Sequence, residues 1–194
     1  MSELVFLLEE PSARAMLEGL LPRLLEVEIP VRYIVFEGKQ DLEDRMVQRL
    51  KHYLIPDARF VILRDQDSAD CHVVKQELAN KCQESGRIHT LVRIACHELE
   101  SWYLADLAAV EEALHLPGLA KNQTKAKYRN PDRLANAAQE LEKLTKSYYQ
   151  KISGSEAIGP SLNLDNHRSH SFAIFISGLR TLFADWVSNK PSNP

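Results

Sequence analysis

The run from Phe60 through Val61-Ile62-Leu63-Arg64 to Asp65-Gln66-Asp67-Ser68-Ala69-Asp70 passes from an apolar segment of strand type directly into carboxylates spaced two apart. Such a run reads as a buried strand, and open α/β sheets gather their ligands where strands of this kind end. In an extended backbone, residues i and i+2 share a face. Asp65 and Asp67 are therefore expected to point the same way and to repel unless a cation neutralises them. Oxygen-only ligands select a hard divalent ion, Mg²⁺ or Mn²⁺. The bland reading is a solvated loop in which Asp70 caps the next helix.

Further acids and a polar cluster stand at comparable places. The first apolar run, Leu4 to Leu8, ends in Glu9-Glu10-Pro11-Ser12, and Val31 to Phe36 ends in Glu37-Gly38-Lys39. Leu91 to Cys96 ends in His97-Glu98-Leu99-Glu100. If the chain stays extended there, Glu98 and Glu100 face one edge, whereas a helix starting at His97 separates them by about 200°. One of the two is then a ligand or supports one; both as ligands would imply a second metal. Glu100 also suits a helix N-terminus, as does Glu10. Asn166-His167-Arg168-Ser169-His170-Ser171 precedes a helix, where free N–H groups, a guanidinium and hydroxyls would make an anion cradle, with a plain serine N-cap as the alternative.

A glutamate ending one buried strand and Asp-x-Asp ending a later one resembles the Toprim domain of primases, topoisomerases and nucleases, including OLD-type nucleases. This likeness covers about residues 1–110. Ile94 to Asp106, Tyr128 to Asp132 and Asn166 to Phe172 resemble the recurring motifs of a bacterial Toprim-like family of unknown function, over nearly the whole chain. Toprim order places a helix, a strand and a helix between its glutamate strand and its Asp-x-Asp strand. Only Glu9 leaves room for all three, which favours it over Glu37. Glu10 departs from the glycine usual at its position and would crowd the edge or add a ligand. The resemblance implies Glu9, Asp65 and Asp67 as metal ligands with Glu98 or Glu100 beside them, and Glu9 as ligand or general base. It also implies Asn166, Arg168, Ser169 and Ser171 on phosphate, with Arg168 in the catalytic set. The activity implied is a Mg²⁺- or Mn²⁺-dependent nuclease or related phosphotransferase acting on nucleic acid, with an ATPase partner and a role in defence against foreign DNA. The alternative is a non-catalytic subunit that keeps the scaffold and binds an ATPase or nucleic acid.

Composition bounds these readings. The 194 residues suit one α/β domain, 1–115, with a helical extension, 116–194, packed on it. A net charge of −3 gives no bulk attraction to nucleic acid, so contact requires a local patch or a bound metal. Cys71, Cys82 and Cys96 form no Cys-x-x-Cys pair and read as reduced thiols. No stretch approaches a membrane span, no P-loop is present, and the cytosol is the expected compartment.

The elements that must position the acids are set by periodicity. Strands are expected at Leu4–Leu8, Val31–Phe36, Phe60–Leu63 and Leu91–Cys96, separated by helices to about Leu25, over Leu42–Leu54 and over about Asp70–Glu84. That alternation implies a mainly parallel, Toprim-like sheet with helices on both faces. A helix over about Glu100–Leu114 precedes a break near Leu116-Pro117-Gly118, and Lys121 to Arg129 reads as a solvated connector or a phosphate-contacting loop. Asn130-Pro131-Asp132 reads as a helix start whose inner face is Leu134, Ala138, Leu141, Leu144 and Tyr148. Gly154 to Pro160 is expected to break the chain, and a last apolar-faced helix covers about Ser171–Val187 before a fraying end.

Overall fold

The computed structural model describes residues 3–25 and 28–188. Its centre is a four-stranded sheet of β1 (Leu4–Leu8), β2 (Val31–Val35), β3 (Arg59–Asp65) and β4 (Leu91–Ala95), in the order β2-β1-β3-β4. Every pairing is parallel. The fold is therefore α/β, consistent with a Toprim-like sheet, and it carries a helical C-terminal extension. β1 sits between β2 and β3, and all five of its residues are wholly buried, which is why it reads as an unbroken apolar run.

The two-residue period divides the core into two layers. Leu4, Phe6, Leu8, Val61 and Leu63 face one way, towards Met16, Leu17 and Leu20 of α1 (Pro11–Leu20) and the later helices. Val5, Leu7, Phe60 and Ile62 face the other way. They meet Leu42, Met46 and Leu50 of α2 (Lys39–Lys51) and Val74, Leu78 and Cys82 of α3 (Cys71–Glu84). Asp70 caps α3 through the amides of His72 and Val73.

After β4 the chain departs from its expected course in instructive ways. The long helix anticipated over Glu100–Leu114 is split into α4 (Glu100–Leu104) and α5 (Leu107–Leu114). Asp106 at the break caps Ala109 and also accepts from the Asn163 amide at 2.7 Å, so a tertiary demand interrupts the helix. Lys121 to Arg129 is not simply a solvated connector: it folds as short 3₁₀ turns, with Tyr128 buried and Gln123 bonding the Leu104 and Tyr128 carbonyls. Asn130-Pro131-Asp132 starts only a 3₁₀ turn, and the helix proper is α6 (Ala137–Leu144), which buries Ala137 and Leu141 while Tyr148 is exposed.

Gly154 does not break the chain. It lies inside α7 (Lys151–Ile158), where a Cβ would run into the ring of Tyr149. A Cβ on Gly159 would run into the carbonyl of Met16, and one on Gly19 would stand 2.5 Å from Pro160. Gly159 and Gly19 therefore mark the close approach of the segment ending α7 to α1, and Gly154 leaves room for the Tyr149 ring. The last helix, α8 (His170–Ser188), runs beside β4. Arg93 spans the gap, its guanidinium lying over Gly178 and donating to the Ile174 carbonyl at 3.2 Å. The sheet edge is thus covered by a helix. Phe172 and Phe175 of α8 pack on Trp102, with ring centroids 5.2 and 4.9 Å away. Residues after Ser188 lie outside those described. Among the described residues, no helix is long and apolar enough to cross a membrane.

Gly159→Ala should lower stability by about 1–3 kcal/mol, because the added methyl meets backbone that cannot swing away. Urea unfolding measures it; an unchanged midpoint would show that α1 and α7 can part without cost.

Candidate metal centre

β1 and β3 run side by side with Leu8 opposite Leu63, so the residues after them emerge together at the C-terminal edge of the sheet. Glu9 is buried, and its Oε2 accepts a hydrogen bond from the Asp65 amide at 3.1 Å. Burial, with the charge of Asp67 adding to it, holds the Glu9 carboxyl above its ordinary value, even though the Asp65 amide works the other way. Arg64 supports the same carboxylate: its Nε lies 3.9 Å from Glu9 Oε2, while its Nη2 is 2.9 Å from Glu43. Glu37, the rival glutamate, is exposed at the end of β2, where its own amide bonds Asp41.

Asp65 lies where several of these charges converge. Desolvation pushes its carboxyl well above the usual carboxylate range, and the charges of Glu100, Glu9 and Glu10 push further. Asp67 does not share its face by strand alternation, because the chain leaves the extended conformation at once. Gln66 and Asp67 donate their amides to the carbonyls of Ala95 and His97, and Asp67 has φ +56°. That turn still leaves Asp67 within the field of Glu9, with its Oδ2 2.9 Å from Lys39 at the start of α2.

Glu98 and Glu100 separate. Glu98 turns to α6, where Oε2 accepts from the Ala138 amide at 2.7 Å, while its charge still acts on Glu100. Glu100, the first residue of α4, is wholly buried and contributes the largest charge acting on Asp65. Its Oε1 accepts from the Tyr149 hydroxyl at 2.8 Å; its Oε2, equally buried, has no partner. Burial raises the Glu100 carboxyl, against the Tyr149 bond. A buried carboxylate oxygen without a partner is costly, and it is the feature expected where a ligand completes the site.

Three cations meet these acids, and the sequence reading missed all of them as site residues. Lys39 holds Asp67, Arg64 lies beside Glu9, and Lys151 of α7 holds Glu10 with Nζ 2.5 Å from Oε2. Burial alone would lower the Lys151 ammonium, yet Glu10, with Glu100 and Asp65 behind it, keeps it above its ordinary value. The available signal was an arginine interrupting an apolar strand; that Lys39 and Lys151 open helices, where the dipole favours acids, is visible only in the fold. Among the described residues, no group of three or more His, Cys, Asp or Glu is arranged to hold a metal ion as it stands. The donor set is nevertheless all oxygen and suits Mg²⁺ or Mn²⁺. Glu9, Asp65, Asp67 and Glu100 are the residues that could hold it.

The cluster at Asn166 to Ser171 is a structural joint. Asn166 donates to the Ala105 carbonyl at 2.8 Å and accepts from the Arg168 amide. Ser169 caps the Phe172 amide. Ser171 accepts from the Trp102 indole at 2.8 Å and from the Cys96 amide at 3.3 Å, and donates its own amide to Asp132. The amides of Asn166 and Ser171 are thus engaged, on the Asn163 carbonyl and on Asp132, and the hydroxyls of Ser169 and Ser171 bond each other, so these groups serve the joint first. Arg168 is exposed, as are His167 and His170, with its Nη1 3.4 Å from the Ala105 carbonyl. Beside this joint, burial and the charge of Asp132 push the Cys96 thiol up to about 11.

Residues 8–180 match the model of a family described as Domain of unknown function (DUF4276). No curated protein and no solved structure matches the chain.

This edge and its joint can each be tested. A carboxyl raised in the folded state binds its proton more tightly there, so its contribution to stability is present below the unfolded value and is lost as pH rises through the folded one. Metal-free protein should therefore lose melting temperature from the ordinary aspartate value of 3.8 upward, and Asp65→Asn should flatten that decline. Equal pH profiles for the two proteins would place the strain elsewhere. Ser171→Ala should cost about 1–3 kcal/mol in urea unfolding, because the Trp102 N–H is left buried without an acceptor; no loss would restore the cluster to a free surface role.

Proposed function

We propose that this chain, which belongs to the DUF4276 family, is a Mg²⁺- or Mn²⁺-dependent phosphodiester hydrolase acting on nucleic acid, built on a Toprim-like scaffold. The observation that carries this reading is Glu100 Oε2, buried and without a partner, beside Asp65 and Glu9 on adjoining strand ends. The edge gathers Glu9, Glu10, Asp65, Asp67 and Glu100 against Lys39, Lys151 and an Arg64 already shared with Glu43. That surplus of negative charge, partly desolvated, calls for a further cation.

A bound divalent ion supplies charge neutralisation at the phosphate oxygens and a water of lowered pKa. Glu9, held by the Asp65 amide and kept above its ordinary pKa, is suited to orient that water and accept its proton. Asp65, Asp67 and Glu100 supply the remaining oxygens. Tyr149 fixes the orientation of Glu100, as groups behind a metal ligand commonly do. The resemblance to Toprim proteins supports an ATPase partner and a role in defence against foreign DNA as parts of the same proposal.

A non-catalytic interaction subunit is the second reading. It is favoured by Lys39 and Lys151, which already neutralise Asp67 and Glu10 as a resting scaffold would need.

Mn²⁺ should raise the melting temperature through binding to the native state, and the Asp65→Asn, Asp67→Asn double variant should abolish the rise. Glu9→Gln should remove cleavage in an assay spanning single- and double-stranded DNA and RNA, with Glu37→Gln as the unaffected control. A metal shift in wild type without any cleavage would select the interaction subunit. A shift that survives the double substitution would move the metal elsewhere.

A further inference from the structure

We propose that Lys151 is the residue that meets a phosphate oxygen of the substrate, held on Glu10 until the metal-loaded edge receives that substrate. The inference rests on the hydrolase reading above. Lys151 opens α7, and a cation at a helix N-terminus opposes the helix dipole, so the stability of α7 does not explain it. Its side chain is half exposed, 48%, with Nζ turned to Glu10 Oε2 and to the charges of Glu100 and Asp65 beyond. An ammonium in that position is both reachable from solvent and aimed at the candidate metal ligands.

Its mounting is unusually firm for a lysine. Tyr149, two residues earlier, bonds Glu100, and its ring fills the space a Cβ on Gly154 would need. Gly159 at the other end of α7 sits against the Met16 backbone of α1, the helix that begins just after Glu10. One short segment thus fixes both the buried carboxylate and the ammonium. The last bond of the chain is the loose one: Lys151 is a point charge with three donors on a flexible stem, able to pass from one oxygen anion to another. A divalent ion held by Glu9, Asp65 and Glu100 would cancel part of the field that holds Lys151 inward. The ammonium is then available to the negative oxygens that phosphodiester hydrolysis builds up at phosphorus. Lys39 differs, since its partner Asp67 is itself a candidate ligand and a metal would compete with it directly.

The test compares wild type, Lys151→Met and Lys151→Arg by fluorescence anisotropy with short single-stranded DNA and RNA oligonucleotides in Ca²⁺, alongside the melting shift given by Mn²⁺ alone. Lys151→Met should weaken oligonucleotide binding about ten- to a hundredfold and make its salt dependence shallower by about one phosphate contact. Lys151→Arg should keep most of the affinity, and all three proteins should show the Mn²⁺ shift. Wild-type affinity in Lys151→Met overturns the proposal. Loss of the Mn²⁺ shift in Lys151→Met overturns it too, making the lysine a support of the metal edge. No Mn²⁺ shift in wild type removes the hydrolase reading itself, and this inference with it.

Discussion

Parallel strands that end together deliver their next residues to one place, and in this protein those residues are negative. Glu9 and Glu10 leave β1, Asp65 and Asp67 leave β3, and Glu100 arrives one turn beyond β4. Five carboxylates cannot crowd a partly dry edge without positive charge brought to them from elsewhere in the chain. Much of the architecture beyond the sheet answers that need. α2 begins with Lys39, β3 turns Arg64 to Glu9, and the extension delivers Lys151 and the Tyr149 hydroxyl. Even so, one Glu100 oxygen is left without a partner.

The extension therefore supplies residues to the candidate site. Its helices share one core with α1 and the strand residues Phe6, Leu8 and Leu63. Glycine at 159 lets the end of α7 lie against α1, and glycine at 154 leaves room for the ring of Tyr149, whose hydroxyl meets Glu100. On the far side, the joint of Asn166, Ser169, Ser171 and Asp132 ties the start of α8 to Trp102 and to the end of β4. Most of these bonds are buried, which holds their geometry against loss and keeps the fourth strand in place.

Much of this was legible in the sequence, because an apolar run flanked by acids declares both a buried strand and the charge at its end. Leu4–Leu8 with Glu9 after it, and Phe60–Leu63 leading to Asp65, needed no tertiary information. Asp67 was harder. Its spacing implied a shared face with Asp65, but a left-handed turn decided by the amide of Asp67 and the carbonyl of His97 placed it instead. Gly154 read as a breaker because helix propensity is local, whereas the ring that excludes a side chain there comes from Tyr149. Asn166 to Ser171 has the residue types of an anion site, and composition does not encode that Asn166 and Ser171 bond neighbouring backbone, the Trp102 indole and Asp132. Lys151 carried no motif, and the helix it opens was not expected from the sequence.

The central claim is that the edge formed by Glu9, Asp65, Asp67 and Glu100 takes a divalent cation, and anomalous diffraction from crystals of the protein grown with Mn²⁺ tests it most directly. The account requires a manganese peak bounded by Glu9, Asp65 and Glu100, with the unpartnered Glu100 oxygen turned to it and Asp67 released from Lys39. An ordered edge without a peak in saturating Mn²⁺, with Asp67 still on Lys39, would contradict it.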